Sequence, residues 1–130
     1  MTSYIPTNKQ LPLINQFVSL IKLKNFNFNS LHVLKNKAHA IVDKLNLTVV
    51  KENYHQFQPF GITYIFVLSQ SHLILHSWPE FRTLHIDLMT YSNNINNEEM
   101  EKILKNIFIN DAIFYLNIQK LPNLIELSLT

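Results

Sequence analysis

Residues 62 to 91 contain three strand-like runs joined by short connections, and this stretch limits the fold more than any other part of the chain. The runs cover Ile62–Ser69, His72–Ser77 and Arg82–Tyr91. In the last run, every second residue from Leu84 to Leu88 is aliphatic, which is the period of a half-buried strand. The stretch therefore predicts neighbouring strands of a sheet with one covered face.

The flanking sequence adds helices and further strands. Ser30 is a candidate cap for a helix whose apolar residues share one face, and Asn97 followed by Glu98 and Glu99 predicts a second helix start. Helices are thus predicted over residues 31–45 and from 97 onward, and strands over 16–23, 47–57 and 112–118. The first twelve residues read as a loosely held arm. This order predicts an α+β fold, a mainly antiparallel sheet with its helices on one face.

Length and composition limit the class of protein. A chain of 130 residues is one domain, covering residues 1–130. It is 47% hydrophobic and only 15% charged, which predicts that some apolar surface is buried between subunits. A net charge of +2 without a basic run argues against nucleic acid, and the absence of cysteine excludes thiolate metal sites and disulfides. With no signal sequence and no long apolar run, a soluble cytoplasmic protein without membrane contact is expected.

The polar residues of this stretch allow several interpretations. A zinc site would use His72, His76 and Glu80, but the strand-like run spreads the two imidazoles by about 13 Å, so no metal is predicted. A hydrolase triad would use Ser71, His76 and Asp87, but the G-x-S-x-G elbow is absent. Ordinary half-buried strand histidines are the third interpretation.

Four motifs occur in order within the same stretch. They are Pro59-Phe60-Gly61, Gln70-Ser71-His72, His76-Ser77-Trp78-Pro79-Glu80 and Ile86-Asp87-Leu88-Met89-Thr90. In order and spacing, without a gap from Tyr54 to Thr90, this pattern resembles the small prokaryotic S-adenosylmethionine decarboxylases, which are pyruvoyl enzymes. Gly61 is the only glycine and is expected where the backbone needs a positive φ.

The resemblance implies that the chain makes its own cofactor. Ser71 Oγ would attack the carbonyl carbon of Gln70 and convert the amide into an ester. Loss of the Ser71 α-proton would then eliminate the ester, and hydrolysis of the dehydroalanine would leave a pyruvoyl group and ammonia. The products would be a β chain of residues 1–70 and an α chain of residues 71–130, and the pyruvoyl group would act as an electron sink during decarboxylation.

The resemblance also assigns roles to individual residues. Thr63 corresponds to the hydroxyl residue that helps the first step, and His76 to the base of the elimination. Phe57 and Trp78 become candidates for stacking on adenine, with core packing as the alternative, and Glu80 could bind the ribose hydroxyls. Simple alternation places Ser71 and His76 on opposite faces of a strand, so a turn or bulge at residues 69–72 is expected to bring them together.

Two residues depart from the family pattern. Gln70 replaces the usual Glu before the cleaved serine, and Tyr91 replaces the proton-donating Cys. A phenol with a pKa near 10 is a poorer donor at neutral pH than a thiol near 8.5.

Three hypotheses follow from the resemblance and these departures. The first is an S-adenosylmethionine decarboxylase for spermidine synthesis. The second is a pyruvoyl decarboxylase of arginine or ornithine. The third is an uncleaved relative that acts as a binding or regulatory subunit. The resemblance implies a two-layer sandwich whose protomers pair sheet against sheet as an αββα homodimer, with the active sites near the interface; a paralogous partner chain is the alternative.

Overall fold

The computed structural model describes residues 11–91 and 95–121. In chain order these form β1 (Ile14–Leu23), α1 (Leu31–Lys44), β2 (Val49–Gln56), β3 (Ile62–Leu68), β4 (Ser71–Trp78), β5 (Thr83–Tyr91), α2 (Asn97–Ile107) and β6 (Ile113–Leu121). The strands of this described part make one sheet in the order β2-β3-β4-β5-β1-β6, and every neighbouring pair is antiparallel.

The two helices cover one face of the sheet. Leu34 and Ile41 of α1 and Leu104 of α2 are fully or almost fully buried. They join a core to which β3, β4 and β5 contribute every second residue, such as Leu73 and Leu75 of β4. The period-2 pattern therefore decides which face of each strand enters the core. The predicted α+β sandwich is confirmed.

Helix boundaries follow local hydrogen bonds. Ser30 caps α1, and its Oγ accepts a bond from the Val33 backbone N–H at 3.2 Å. α2 begins at Asn97, as predicted, and the residue before it is the cap: the side chain of Asn96 accepts from the Glu99 N–H at 2.8 Å. An N-cap side chain accepts from the backbone N–H two or three residues later, and Asn96 does so for the Glu99 N–H.

The remaining sequence predictions fall close to the observed elements. The strands start or end within a few residues of their predicted positions. Most of the predicted N-terminal arm lies outside the described residues. Within residues 11–91 and 95–121, no helix is long and apolar enough to cross a membrane.

The opposite face of the sheet carries no helix among the described residues. Seven large apolar side chains on it are 38–47% exposed: Ile14, Leu20, Ile65, Val67, Trp78, Tyr91 and Tyr115. A row of polar residues crosses the same face, because strand pairing sets His55 opposite Thr63, Thr63 opposite His76, and His76 opposite His85. This uncovered face contains most of the sequence-predicted site residues.

Candidate active site

Thr63 and His76 are directly opposite each other on β3 and β4. Their side chains point to the uncovered face, because the adjacent residues Tyr64 and Leu75 are buried on the other side. Thr63 Oγ1 lies 2.6 Å from Nδ1 of His76. The hydrogen bond fixes the orientation of the imidazole and leaves Nε2 as its second site for proton transfer.

Aromatic rings pack on this imidazole. The ring centroid of Trp78 is 4.3 Å from that of His76, and the centroid of Phe57 is 5.7 Å from it. The turn before β3 positions Phe57, because the Phe57 N–H donates to the carbonyl of Gly61 at 2.8 Å. Gly61 has φ +102°, as predicted for the only glycine. The two predicted adenine-stacking residues are therefore neighbours of the predicted base.

The surroundings of His76 favour its neutral form. Burial lowers the pKa of the His76 imidazole, and the nearby His85 lowers it further, whereas Glu80 acts in the opposite direction. A neutral imidazole at physiological pH is the form that can accept a proton.

The predicted cleavage position lies in the tight turn between β3 and β4. Leu68 pairs with Ser71, so the loop consists of Ser69 and Gln70 alone. Gln70 has φ +56°, a left-handed conformation that costs a residue with a side chain roughly 1–2 kcal/mol. Ser71 Oγ accepts a hydrogen bond from the Tyr91 backbone N–H at 3.2 Å. A strained residue thus contributes the carbonyl beside the serine, and the serine hydroxyl is already oriented.

Within one chain, the turn does not bring Ser71 and His76 together. β4 pairs with β3 in regular register from Ser71 to His76, so there is no bulge between them. Five residues of strand separate the two by roughly 17 Å. Alternation also places Ser71 on the side of Leu73 and Leu75, opposite to His76. The turn reverses the chain between β3 and β4, but leaves both residues on the same straight strand.

The remaining predicted residues surround the His76 end of the sheet. Glu80 is exposed in a short 3₁₀ turn, Pro79–Phe81, directly after Trp78. A groove of 390 Å³ lies beside it and is lined by Leu20, Lys22, Trp78, Phe81, Thr83 and Tyr115. Gln70 and Tyr91 are exposed near the Ser71 end, where Tyr91 lies opposite Ile14.

Neither alternative site interpretation forms in the described residues. His72 and His76 share a face but are four strand residues apart, and residues 11–91 and 95–121 contain no group of three side chains suited to a metal ion. Asp87, the third member of the hydrolase triad, instead accepts a hydrogen bond from Gln16 at 2.9 Å, and one of its oxygens lies 3.7 Å from His72 Nε2.

Sequence reasoning missed His85 as a neighbour of the site. The residue lies opposite His76 on β5. The alternation of β5 puts His85 among the residues outside the core, and this pattern in the sequence could have indicated its face. Only the strand register identifies its partner.

Comparisons with known proteins agree with one another. A family model described as S-adenosylmethionine decarboxylase matches residues 16–120. The chain is 39% identical over 82 residues to the S-adenosylmethionine decarboxylase proenzyme of Thermodesulfovibrio yellowstonii, covering 61% of each chain. It is 34% identical over 71 residues to the protein of the same name from Archaeoglobus fulgidus, covering 55% of this chain and 63% of the relative. These alignments thus span less than two thirds of the relatives' lengths.

A solved structure supports the fold. The adenosylmethionine decarboxylase from Aquifex aeolicus matches with a TM-score of 0.69 at 19% identity, over 92% of this chain and 98% of that chain. At this low identity the likeness shows the fold alone.

Proposed function

This chain belongs to the S-adenosylmethionine decarboxylase family, and we propose that it is a self-cleaving proenzyme whose mature form decarboxylates S-adenosylmethionine for spermidine synthesis. The observation that most directly supports the proposal is the hydrogen bond between Thr63 and His76, because maturation needs a hydroxyl and a base together. The relatives' names, which describe proenzymes, agree with it.

The turn at Gln70 fits the first step of maturation. Ser71 Oγ attacks the Gln70 carbonyl carbon, the C–N bond breaks, and the Ser71 nitrogen becomes a free amine while an ester forms. The left-handed φ of Gln70 raises the energy of the starting peptide, and the Tyr91 N–H holds Ser71 Oγ. The tight turn and the oriented hydroxyl therefore suit a pyruvoyl group derived from Ser71.

The Thr63–His76 pair suits two further tasks of maturation, which are removal of the Ser71 α-proton and stabilisation of the oxyanion. In the tautomer with a proton on Nδ1, His76 donates to Thr63 Oγ1, and its Nε2 lone pair is free to remove the Ser71 α-proton. The Thr63 hydroxyl then keeps its own proton, which it can donate to the oxyanion formed during the attack. One hydrogen bond thus supports both a base and an oxyanion donor.

The cleavage position and the proposed base can meet only if a second copy of the chain is present. Ser71 and Tyr91 lie at one end of the sheet, and Thr63 and His76 at the other. The exposed apolar residues of the uncovered face suit sheet-on-sheet packing in a homodimer. We therefore propose that His76 of each protomer acts on Ser71 of its partner.

Substrate binding is proposed for the His76 end. Trp78 and Phe57 offer aromatic faces to an adenine, and exposed Glu80 offers carboxylate oxygens to ribose hydroxyls. The pyruvoyl group, when present, supplies the electron sink for loss of carbon dioxide. Arginine or ornithine as substrate is the alternative, and the cytoplasmic location stays a prediction.

Intact-mass spectrometry tests the proposal. The purified protein should convert from one 15.3 kDa chain into fragments of residues 1–70 and 71–130, the second starting with a ketone. Ser71→Ala should stay uncleaved. An uncleaved wild-type chain after long incubation would favour the binding or regulatory relative.

Mixed dimers test the sharing of residues between protomers. Alone, the Ser71→Ala chain should stay uncleaved and the His76→Ala chain should mature slowly. Coexpressed, the His76→Ala chain should be cleaved, because its partner supplies an intact His76. If the His76→Ala chain stays uncleaved beside a Ser71→Ala partner, the shared site is wrong.

A further inference from the structure

His85 is the direct cross-strand neighbour of His76. β4 and β5 pair in unbroken register from His72 and Met89 to Trp78 and Thr83, and this register sets His76 opposite His85. The residues on either side of His85 are buried in the core, so its side chain lies on the uncovered face. Side chains directly opposite each other have Cβ atoms roughly 4.5–5.5 Å apart.

The other sides of the His76 ring are occupied. Thr63 Oγ1 contacts Nδ1 from β3, and the rings of Trp78 and Phe57 pack against the imidazole. His85 occupies the remaining neighbouring strand. It is therefore the basic side chain closest in the sheet register to the proposed base.

The other ionisable groups on this face are farther away in the sheet. By strand, they are Lys22 on β1, Lys51 and His55 on β2, His72 four residues along β4, Glu80 after β4, Asp87 and Tyr91 farther along β5, and Tyr115 on β6. Glu80 favours a protonated His76, and His85 opposes it. Two charges of the same sign directly opposite each other on neighbouring strands are destabilising.

We propose that His85 is a positioning residue for the maturation step: it disfavours a proton on His76 and so keeps a ring nitrogen of that residue available as the base. The inference rests on the proposed role of His76 in self-cleavage. His85 acts through His76 and does not itself touch the reacting atoms. The lowered pKa of His76, caused by burial and then by His85, agrees with this role.

The test follows the His76 ring by NMR in the full-length Ser71→Ala protein, where no cleavage complicates the titration. His85→Gln removes the second imidazole but keeps a polar side chain of similar length. The titration midpoint of His76 should move up. His85→Lys restores a positive charge, and the midpoint should move down again relative to His85→Gln. His32→Gln, an exposed histidine of α1, is the matched control and should leave the midpoint unchanged.

A role in packing alone predicts a different result. The midpoint would then not follow the charge at residue 85, and an unchanged or lowered midpoint in His85→Gln overturns the inference. His85→Asn repeats the measurement if His85→Gln does not fold.

Maturation gives the second readout. In chains that retain Ser71, His85→Gln should slow cleavage more in mildly acidic than in mildly alkaline buffer, because less His76 is then unprotonated. An equal loss at both pH values contradicts the inference. Cleavage of the wild-type chain tests the proposed function separately, so either proposal can fail without the other.

Discussion

Thr63 and His76 are joined by a 2.6 Å hydrogen bond between directly opposite positions of two neighbouring strands. Because the two residues are opposite each other on one face of a regular sheet, the strand register holds their side chains within hydrogen-bonding reach before any substrate is present. The pair is therefore preorganised, and the cost of orienting it is met during folding.

Removal of the Thr63 hydroxyl should slow maturation. Thr63→Val keeps the shape of the side chain but leaves Nδ1 of His76 without its partner and the oxyanion without its donor. Loss of one such donor costs about 10²–10³-fold in rate. Intact-mass spectrometry over time measures the loss of full-length chain. Thr63→Ser retains the hydroxyl and should mature at close to the wild-type rate; equal rates for Ser and Val would contradict the role of the hydroxyl.

Relief of the strain at Gln70 should also slow maturation. Glycine adopts a positive φ without steric cost, so Gln70→Gly lowers the energy of the uncleaved peptide. In the Ser71→Ala background this change should raise the free energy of unfolding by up to about 1 kcal/mol, measured by urea unfolding.

Two variants control for the Gln70 experiment. Ala112→Gly relieves a similar left-handed residue, φ +53°, outside the hairpin and should not change the cleavage rate. Gln70→Glu keeps the backbone cost and should cleave as the wild type does. If Gln70→Gly cleaves as fast as Gln70→Glu, strain does not contribute.

Substitution of Tyr91 should change the turnover of substrate without changing the rate of maturation. Its backbone N–H, which every variant retains, holds Ser71 Oγ, whereas its side chain is exposed on the uncovered face. Tyr91→Phe should therefore cleave normally. If the phenol returns the proton to the substrate, decarboxylation of S-adenosylmethionine should fall by about 10²–10⁴-fold.

Tyr91→Cys completes this comparison. Because a thiol is the better donor near neutral pH, turnover of S-adenosylmethionine should rise above that of the wild type. Release of carbon dioxide from labelled substrates measures it. If the wild type prefers arginine or ornithine and Tyr91→Cys does not raise turnover of S-adenosylmethionine, the basic amino acid would replace S-adenosylmethionine as the proposed substrate.

A buried tyrosine on the helix side should make stability depend on alkaline pH. Tyr64 donates a 2.5 Å hydrogen bond to Glu52, and burial together with this bond raises the pKa of Tyr64 above its usual value of 10.0. The folded chain therefore keeps a proton that the unfolded chain loses above pH 10, and stability should fall as the pH rises through this range.

Tyr64→Phe tests this dependence in the Ser71→Ala background. The change should lower the free energy of unfolding at neutral pH by about 1–3 kcal/mol, because the bond to Glu52 is lost, and should reduce the alkaline decline. Urea unfolding at several pH values measures both effects. Tyr54→Phe alters an exposed tyrosine that stacks on Tyr64, and should retain the decline. An identical decline in Tyr64→Phe would assign it to another group.

The sequence by itself determined the order of the elements, the core face of the strands and the positive φ of Gly61. These follow from local rules: period-2 alternation, helix caps and the special freedom of glycine. The motif pattern also determined the family, because several short motifs occurred in register.

Only the tertiary structure decided which of these residues are neighbours. Ser71 and His76 are five residues apart in sequence, yet a regular strand holds them on opposite faces. His76 and His85 lie on separate strands, yet the register of β4 and β5 sets them side by side. Alternation gives the face of a residue but not its partner across the sheet, because register depends on the turns and on the packing of the whole core.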